Sequence, residues 1–193
     1  MFTLAYLAAL LAGSSDPQTT PLAPSEQVSS EQPAGSVDWD KEFGVERVDR
    51  DPVTGEVPIA PYEQSNANAQ ATPFSDAKLL AAFGGRTGIQ RIANRLVELS
   101  EADPRISDVF KAKDTVRLKR TLFEQFCYIM GAGCDYTGRT MQAAHKDLGL
   151  QRADMNALVE NLQQSMHEAK VPFSAQNRLL AKLAPMEREV VVR

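Results

Sequence analysis

From Ala77 to Leu183 the apolar residues recur at three- and four-residue intervals, and no stretch alternates with period two over a useful length. That spacing predicts helices and no sheet. Ser75 or Asp76 can cap a short helix over Ala77 to Phe83, stopped by Gly84-Gly85. A second helix starts at Thr87 and lines up Ile89, Ile92, Leu96 and Leu99, with Val97 beside the stripe. Asp103-Pro104 ends it, because a residue before proline avoids helical geometry. Ile106, Val109 and Phe110 make an apolar corner. Asp114 can then cap a third helix, Thr115 to about Met130, with Leu118, Leu122 and Phe126 in one row. After a glycine-punctuated loop, Asp154 can cap a fourth helix with Met155, Leu158, Val159, Leu162 and Met166 on one side. Val171-Pro172 breaks it, and Ser174 caps a last helix carrying Leu179, Leu180 and Leu183, which Pro185 should kink. The expected fold class is all-α, with four substantial helices and short connections.

The periodicity leaves Asp135 to Leu150 unexplained. This stretch holds His145, one of two histidines, with Gly131, Gly133 and Gly138 on its near side and Gly149 on its far side. A loop between helices that ends on a lone imidazole can present a single metal ligand; taken alone it equally fits a surface histidine beside Lys146. His167 sits among Gln163, Gln164 and Glu168, off the apolar stripe, and is expected to face solvent. Cys127 lies late in the third helix and Cys134 just past Gly131-Ala132-Gly133, so either the loop folds back and joins them or both stay thiols. Lys111, Lys113, Arg117, Lys119 and Arg120 cluster where the third helix begins. Such a cluster is either a solvated face or a rim for the carboxylates of a buried ligand.

Charge divides the 193 residues, whose net charge is −4. Between Ser15 and Thr72 there are 11 acidic residues against 3 basic; from Pro73 onward there are 14 against 18. The acidic stretch is rich in Pro, Ser, Gln and Asn, and reads as a mostly disordered N-terminal extension with Trp39 and Phe43 as weak anchors. Asp49 to Glu56 imitates a calcium loop, but Val53 stands at the third ligand position, so a polar turn is expected. The apolar run Leu4 to Ala12 is too short to span a bilayer and fits a secretory signal, although no Lys or Arg precedes it. Ser14 stands where an acylated lipoprotein cysteine would be. The expected organisation is a signal-like segment 1–14, a linker 15–72 and a helical domain 73–193. The expected location is export to a periplasm or cell envelope, with the cytoplasm as the alternative. The mildly basic domain lacks the dense phosphate-tracking patch that nucleic acid requires. No stable membrane span, Ser-His-Asp set or cage of several His and Cys is apparent.

Gly84-Gly85, the run Ala102-Asp103-Pro104-Arg105-Ile106 followed by Phe110, and Arg117-Leu118-Lys119 stand in an order shared with one family. So do Tyr136-Thr137-Gly138 with Met141 and His145, then Lys170-Val171-Pro172 and Leu183-Ala184-Pro185. Over roughly 110 residues, about one small domain, the chain resembles the group I truncated haemoglobins. The resemblance implies a truncated globin-like two-over-two helical sandwich with haem b as cofactor and His145 as the proximal iron ligand. It also implies cofactor contacts from Val97, Phe110, Arg117, Leu118, Leu122, Phe126, Tyr136 and Met141. The implied partner is a diatomic gas, with oxygen binding and transport as the family default.

The departure is distal. Val97 and Leu122 stand where the family usually carries a Tyr and a Gln, Leu118 stands at a third position that is often polar, and Thr121 replaces the second His of some members. The implied pocket is apolar and should weaken oxygen more than carbon monoxide. That argues against the stable oxygen complex that nitric oxide dioxygenase activity needs, so an enzyme is the lesser expectation. A gas sensor, or an electron-transfer protein with a redox partner, tolerates such a pocket. A haem-free helical interaction module of the cell envelope is the alternative from another class.

Overall fold

Helices form where the apolar spacing places them, and their ends differ from expectation for identifiable reasons. The computed structural model describes residues 49–191; the signal-like segment 1–14 and residues 15–48, with Trp39 and Phe43, lie outside them. Helix α1, Ala77–Ala82, is capped by Asp76, whose carboxylate accepts from Leu79 N at 3.0 Å. Helix α2, Gly85–Ala102, starts before Thr87 because Gly84 adopts φ 74 and turns the chain directly into it. Short α3, Ser107–Phe110, leads to α4, Thr115–Ile129. Where a loop was expected, Met141–His145 forms a one-turn helix, α5, capped by Thr140. Helix α6, Arg152–Glu168, is capped by Gln151; Asp154 sits at its third position and accepts back from Gln151 N at 2.8 Å, a reciprocal capping box. Helix α7, Phe173–Leu183, has Pro172 rather than Ser174 at its cap. Pro185 bends the chain through a 3-10 turn, Ala184–Met186, into α8, Glu187–Val190. No strand occurs among the described residues.

Helix α2 is central and packs against both α4 and α6, while α5 packs on α8. Ile89, Ile92 and Leu96 of the expected stripe are buried, with Val97 beside them, while Leu99 is only half-buried. Helix α6 buries Leu162 and Met166 of its apolar pattern, leaves Met155, Leu158 and Val159 half-buried, and also buries Ala157, Asn161 and Ser165, one row at four-residue spacing. Small side chains there, with Ala93 and Ser100 on α2, allow close approach, and Asn161 donates to Ser100 Oγ at 3.5 Å and Asp103 Oδ2 at 3.2 Å.

The stretch 49–72, assigned to linker by its composition, is folded against the helices. Asp51 Oδ1 accepts from Val53 N and Thr54 N, closing the expected polar turn. Val57 N then donates to Asp114 at 2.8 Å, Ala69 is fully buried beside the 3-10 turn Asn66–Ala69, and Phe74 N donates to Ile129 O at 2.8 Å. Polar residues can order a segment through such long-range bonds without leaving any apolar period in the sequence.

Cys127 and Cys134 are joined, with Cα atoms 5.6 Å apart, across a loop that turns at Gly131. Gly131 has φ +68, and a Cβ there would lie 2.2 Å from Phe74 O. Gly131→Ala should therefore cost about 2–4 kcal/mol, adding the left-handed penalty to overpacking. Urea unfolding checks this: the midpoint should fall with the slope unchanged.

Candidate functional site

The site is built on the turn that enters α5. Thr137 is gripped from α4: Glu124 accepts from its N–H at 3.0 Å and its hydroxyl at 2.6 Å, and Arg120 donates to the same hydroxyl. Tyr136 is buried, and its hydroxyl donates to Arg139 O at 3.0 Å. Burial pushes that phenol up to about 12, so it remains a donor throughout the neutral range. Its ring lies over Gly138, where a Cβ would stand 2.2 Å from the hydroxyl oxygen. Only glycine fits there, which gives the Tyr-Thr-Gly sequence a packing reason. Tyr136 thus shapes the turn, in addition to the cofactor contact the sequence implied.

His145 is the last residue of α5 and is half-buried. Its Nδ1 lies 2.8 Å from Met141 O. A carbonyl can only accept, so Nδ1 carries the proton and Nε2 keeps its lone pair in the neutral ring. Burial is the main influence that lowers the His145 pKa from its ordinary value; the charge of nearby Lys113 adds to it, and the Met141 bond opposes it. The ring is therefore neutral at pH 7, the form that ligates a metal. His167 is exposed, as expected.

The distal candidates are apolar and in place on their helices. Val97 and Phe126 are buried; Phe110, Leu118 and Leu122 are half-buried. Thr121 donates its hydroxyl to Arg117 O at 3.0 Å on its own helix, so it presents no free donor. Gln125, which the sequence reading passed over, is buried with its amide nitrogen 3.6 Å from both Met141 Sδ and Met186 Sδ. Its position was legible: Gln125 stands seven residues after Leu118 and three after Leu122, on the same helical face. The amide ties α4 to α5 and to the 3-10 turn that leads into α8.

Arg117 is engaged by the segment before the helices. It donates to Val57 O and lies 3.3 Å from the carboxylate of Glu56, which also pairs with Arg120. Lys111 pairs with Asp108 at 2.5 Å and Lys119 approaches Glu98 at 3.9 Å. Of the basic cluster, only Lys113 has no ion-pair partner among the described residues.

The residues fit a haem. One imidazole nitrogen is tied and the other is unshared, and half-buried apolar side chains flank the core: Val109, Leu122, Leu148, Met155, Leu158 and Leu183. Among the described residues the fold is all-helical, and a one-turn helix in it ends on this imidazole. The bacterial-like globin model matches residues 78–192. The group 1 truncated hemoglobin LI410 of Chlamydomonas moewusii is 28% identical over 149 residues, which cover 75% of this chain and 85% of that one. The group 1 truncated hemoglobin GlbN of Mycolicibacterium paratuberculosis is 24% identical over 114 residues, covering 59% and 84%. Among solved structures, the truncated hemoglobin of Tetrahymena pyriformis in its Fe(III) form superposes with a TM-score of 0.57 at 21% identity, covering 60% of this chain and 98% of that one. The 2/2 hemoglobin of a Synechococcus species, in the cyanomet state with covalently attached heme, gives 0.55 at 24% identity with the same coverage. The chain belongs to the bacterial-like globin family, and its fold is the two-over-two arrangement of the truncated haemoglobins.

In the haem-free protein His145 should titrate below about 6.5, with Nδ1 protonated in the neutral form. As pH falls from that value toward the folded pKa, the unfolded chain takes up a proton that the folded one does not, so stability is lost across that window. Nitrogen-detected NMR gives both the tautomer and the midpoint, and Lys113→Gln should move the midpoint upward.

Proposed function

We propose that this globin holds haem b through His145 Nε2 and reversibly binds a diatomic gas against an apolar distal wall. The observation that carries the reading is the His145 ring, neutral and tied by Nδ1 to Met141 O in a segment that the family model covers. When bound, haem supplies an iron with one position open to a small gas. The rest belongs to the protein. The Met141 carbonyl fixes the imidazole plane and tautomer and raises the basicity of the ligating nitrogen. Phe110, Leu118, Leu122 and Phe126 are apolar and favour a flat hydrophobic macrocycle over water. Lys113, whose charge acts on His145 and which has no ion-pair partner among the described residues, is the candidate cation for a carboxylate of that macrocycle.

Val97, Leu118 and Leu122 have no hydrogen-bond donor in their side chains. A gas that gathers negative charge on binding, such as dioxygen, gains nothing from such a wall; carbon monoxide, nearly neutral, is little affected. Oxygen carriage is the family default, and conversion of nitric oxide to nitrate is disfavoured because it needs dioxygen to stay bound. The absence of a distal donor favours a second reading, a gas sensor or an electron-transfer protein with a redox partner. The Cys127–Cys134 disulfide and the apolar run Leu4 to Ala12 support export to an oxidising compartment.

Reconstitution with hemin should give a Soret band that His145→Ala weakens; a colourless product would favour the haem-free interaction module. Dioxygen should leave the wild-type protein about tenfold faster than Val97→Tyr/Leu122→Gln, the equivalent of ~1.4 kcal/mol of restored hydrogen bonding. Stopped-flow displacement by carbon monoxide measures this, with Leu122→Gln alone as the less crowded control. Equal rates would remove the distal argument.

A further inference from the structure

Residues 60–68 lie outside the matched region 78–192, and the sequence assigns them to linker. They hold every residue of the turn that delivers the chain to α5. Asn66 donates to Asp135 Oδ1 at 2.9 Å and accepts from Tyr136 N at 2.7 Å. Tyr62 donates its hydroxyl to Thr137 O at 2.7 Å. Asn68 donates to Gly138 O at 3.1 Å. Arg139 donates to Ala60 O at 3.4 Å and stacks its guanidinium 5.0 Å over the Tyr62 ring.

We infer that Tyr62, Asn66 and Asn68 are positioning residues of the His145 site, acting through the turn Asp135 to Arg139 rather than by touching the cofactor. This rests on the haem reading above for its consequence, though not for its geometry. Residues 135–137 have no regular structure of their own. Their backbone groups must therefore find partners elsewhere. Glu124 serves Thr137 N; the 60–68 segment serves Tyr136 N, Thr137 O and Gly138 O.

The segment is also stiff enough to act as a template. Ser65 caps its 3-10 turn by accepting from Ala67 N at 3.2 Å, Asn68 makes a second bond to Glu63 O, and Ala69 is anchored in the core. Helix α5 runs only from Met141 to His145. One turn of helix does not stand alone in water, so its direction is set by what enters it. Loosening the turn should loosen the imidazole.

The test uses the full chain with Asn66→Ala/Asn68→Ala and, separately, Tyr62→Phe. Hydrogen exchange of the haem-free protein should quicken across residues 136–145 and stay unchanged in α2 and α6. Hemin transfer to an excess of a haem-scavenging globin should quicken by about tenfold in the double variant, the range seen when partners of a metal ligand are lost. The ferrous iron–imidazole Raman band should broaden or shift. Asn66→Asp alone should also loosen the turn by facing Asp135, and Asn66→Asp/Asp135→Asn should rescue it, because a donor and an acceptor are exchanged. Exchange and transfer within about twofold of wild type would overturn the inference. So would a uniform rise in exchange throughout the protein without rescue, which marks a merely structural segment. If the wild-type chain takes up no hemin, the haem reading fails, while the exchange pattern still decides whether the segment holds the turn.

Discussion

An imidazole carried on a single turn of helix has to borrow its rigidity. Met141–His145 is far below the length at which a helix is stable by itself, because nucleation fixes several dihedrals for one hydrogen bond. The chain around it supplies that order from outside. The disulfide from Cys127 to Cys134 ties the preceding loop to α4. Glu124 and Arg120 on the same helix take Thr137. Beyond the helix, Leu148 N returns to His145 O at 3.3 Å and Leu150 is buried. The imidazole is therefore aimed by contacts on both sides of α5 and by the Nδ1 bond within it, and apart from the burial of Leu150 these are polar or covalent ties.

The same reliance on polar ties explains the charge pattern. Glu56 is buried, an expensive place for a carboxylate unless its partners are close. Arg117 and Arg120 are those partners, so the basic cluster at the start of α4 serves as the socket for a segment of the same chain. Arg120 joins that socket to Thr137, which makes the 49–57 segment, the α4 helix and the turn before α5 one connected network. A cluster read on its own face looks solvated; a cluster read against an acidic segment 60 positions earlier is half of an ion pair.

What was legible in the sequence follows from this division. Periodicity located α2, α4, α6 and α7, because those helices bury apolar stripes and the stripe is written every three or four residues. His145 and its turn were legible through motif spacing, and the left-handed glycines marked the breaks. The choice of Asp154 as a cap misread a reciprocal pair, since Gln151 and Asp154 each satisfy the other's backbone and only geometry says which is first. The buried row Ala157, Asn161 and Ser165 was hidden by its polarity. The 49–72 segment was hidden more completely: Tyr62, Asn66 and Asn68 act through single bonds to backbone atoms some 70 positions away, and such bonds leave no local signature.

Arg117 shows how a position read from a family is also engaged by the chain's own residues. Its register within α4 is shared with relatives, and register alone places it near a cofactor's carboxylates. Its guanidinium, however, is committed to Val57 and Glu56, residues that precede the matched region 78–192. The backbone fold transfers with the family because it depends on stripes and crossings within that region. The rim depends on a longer reach: Glu56 and Val57 engage Arg117 and Arg120 from before that region, and the charge of Lys113 bears on the imidazole. Val97 and Leu122 carry no polar groups for residues 56–57 to claim, so the apolar character of these two positions is independent of how the rim cations are paired.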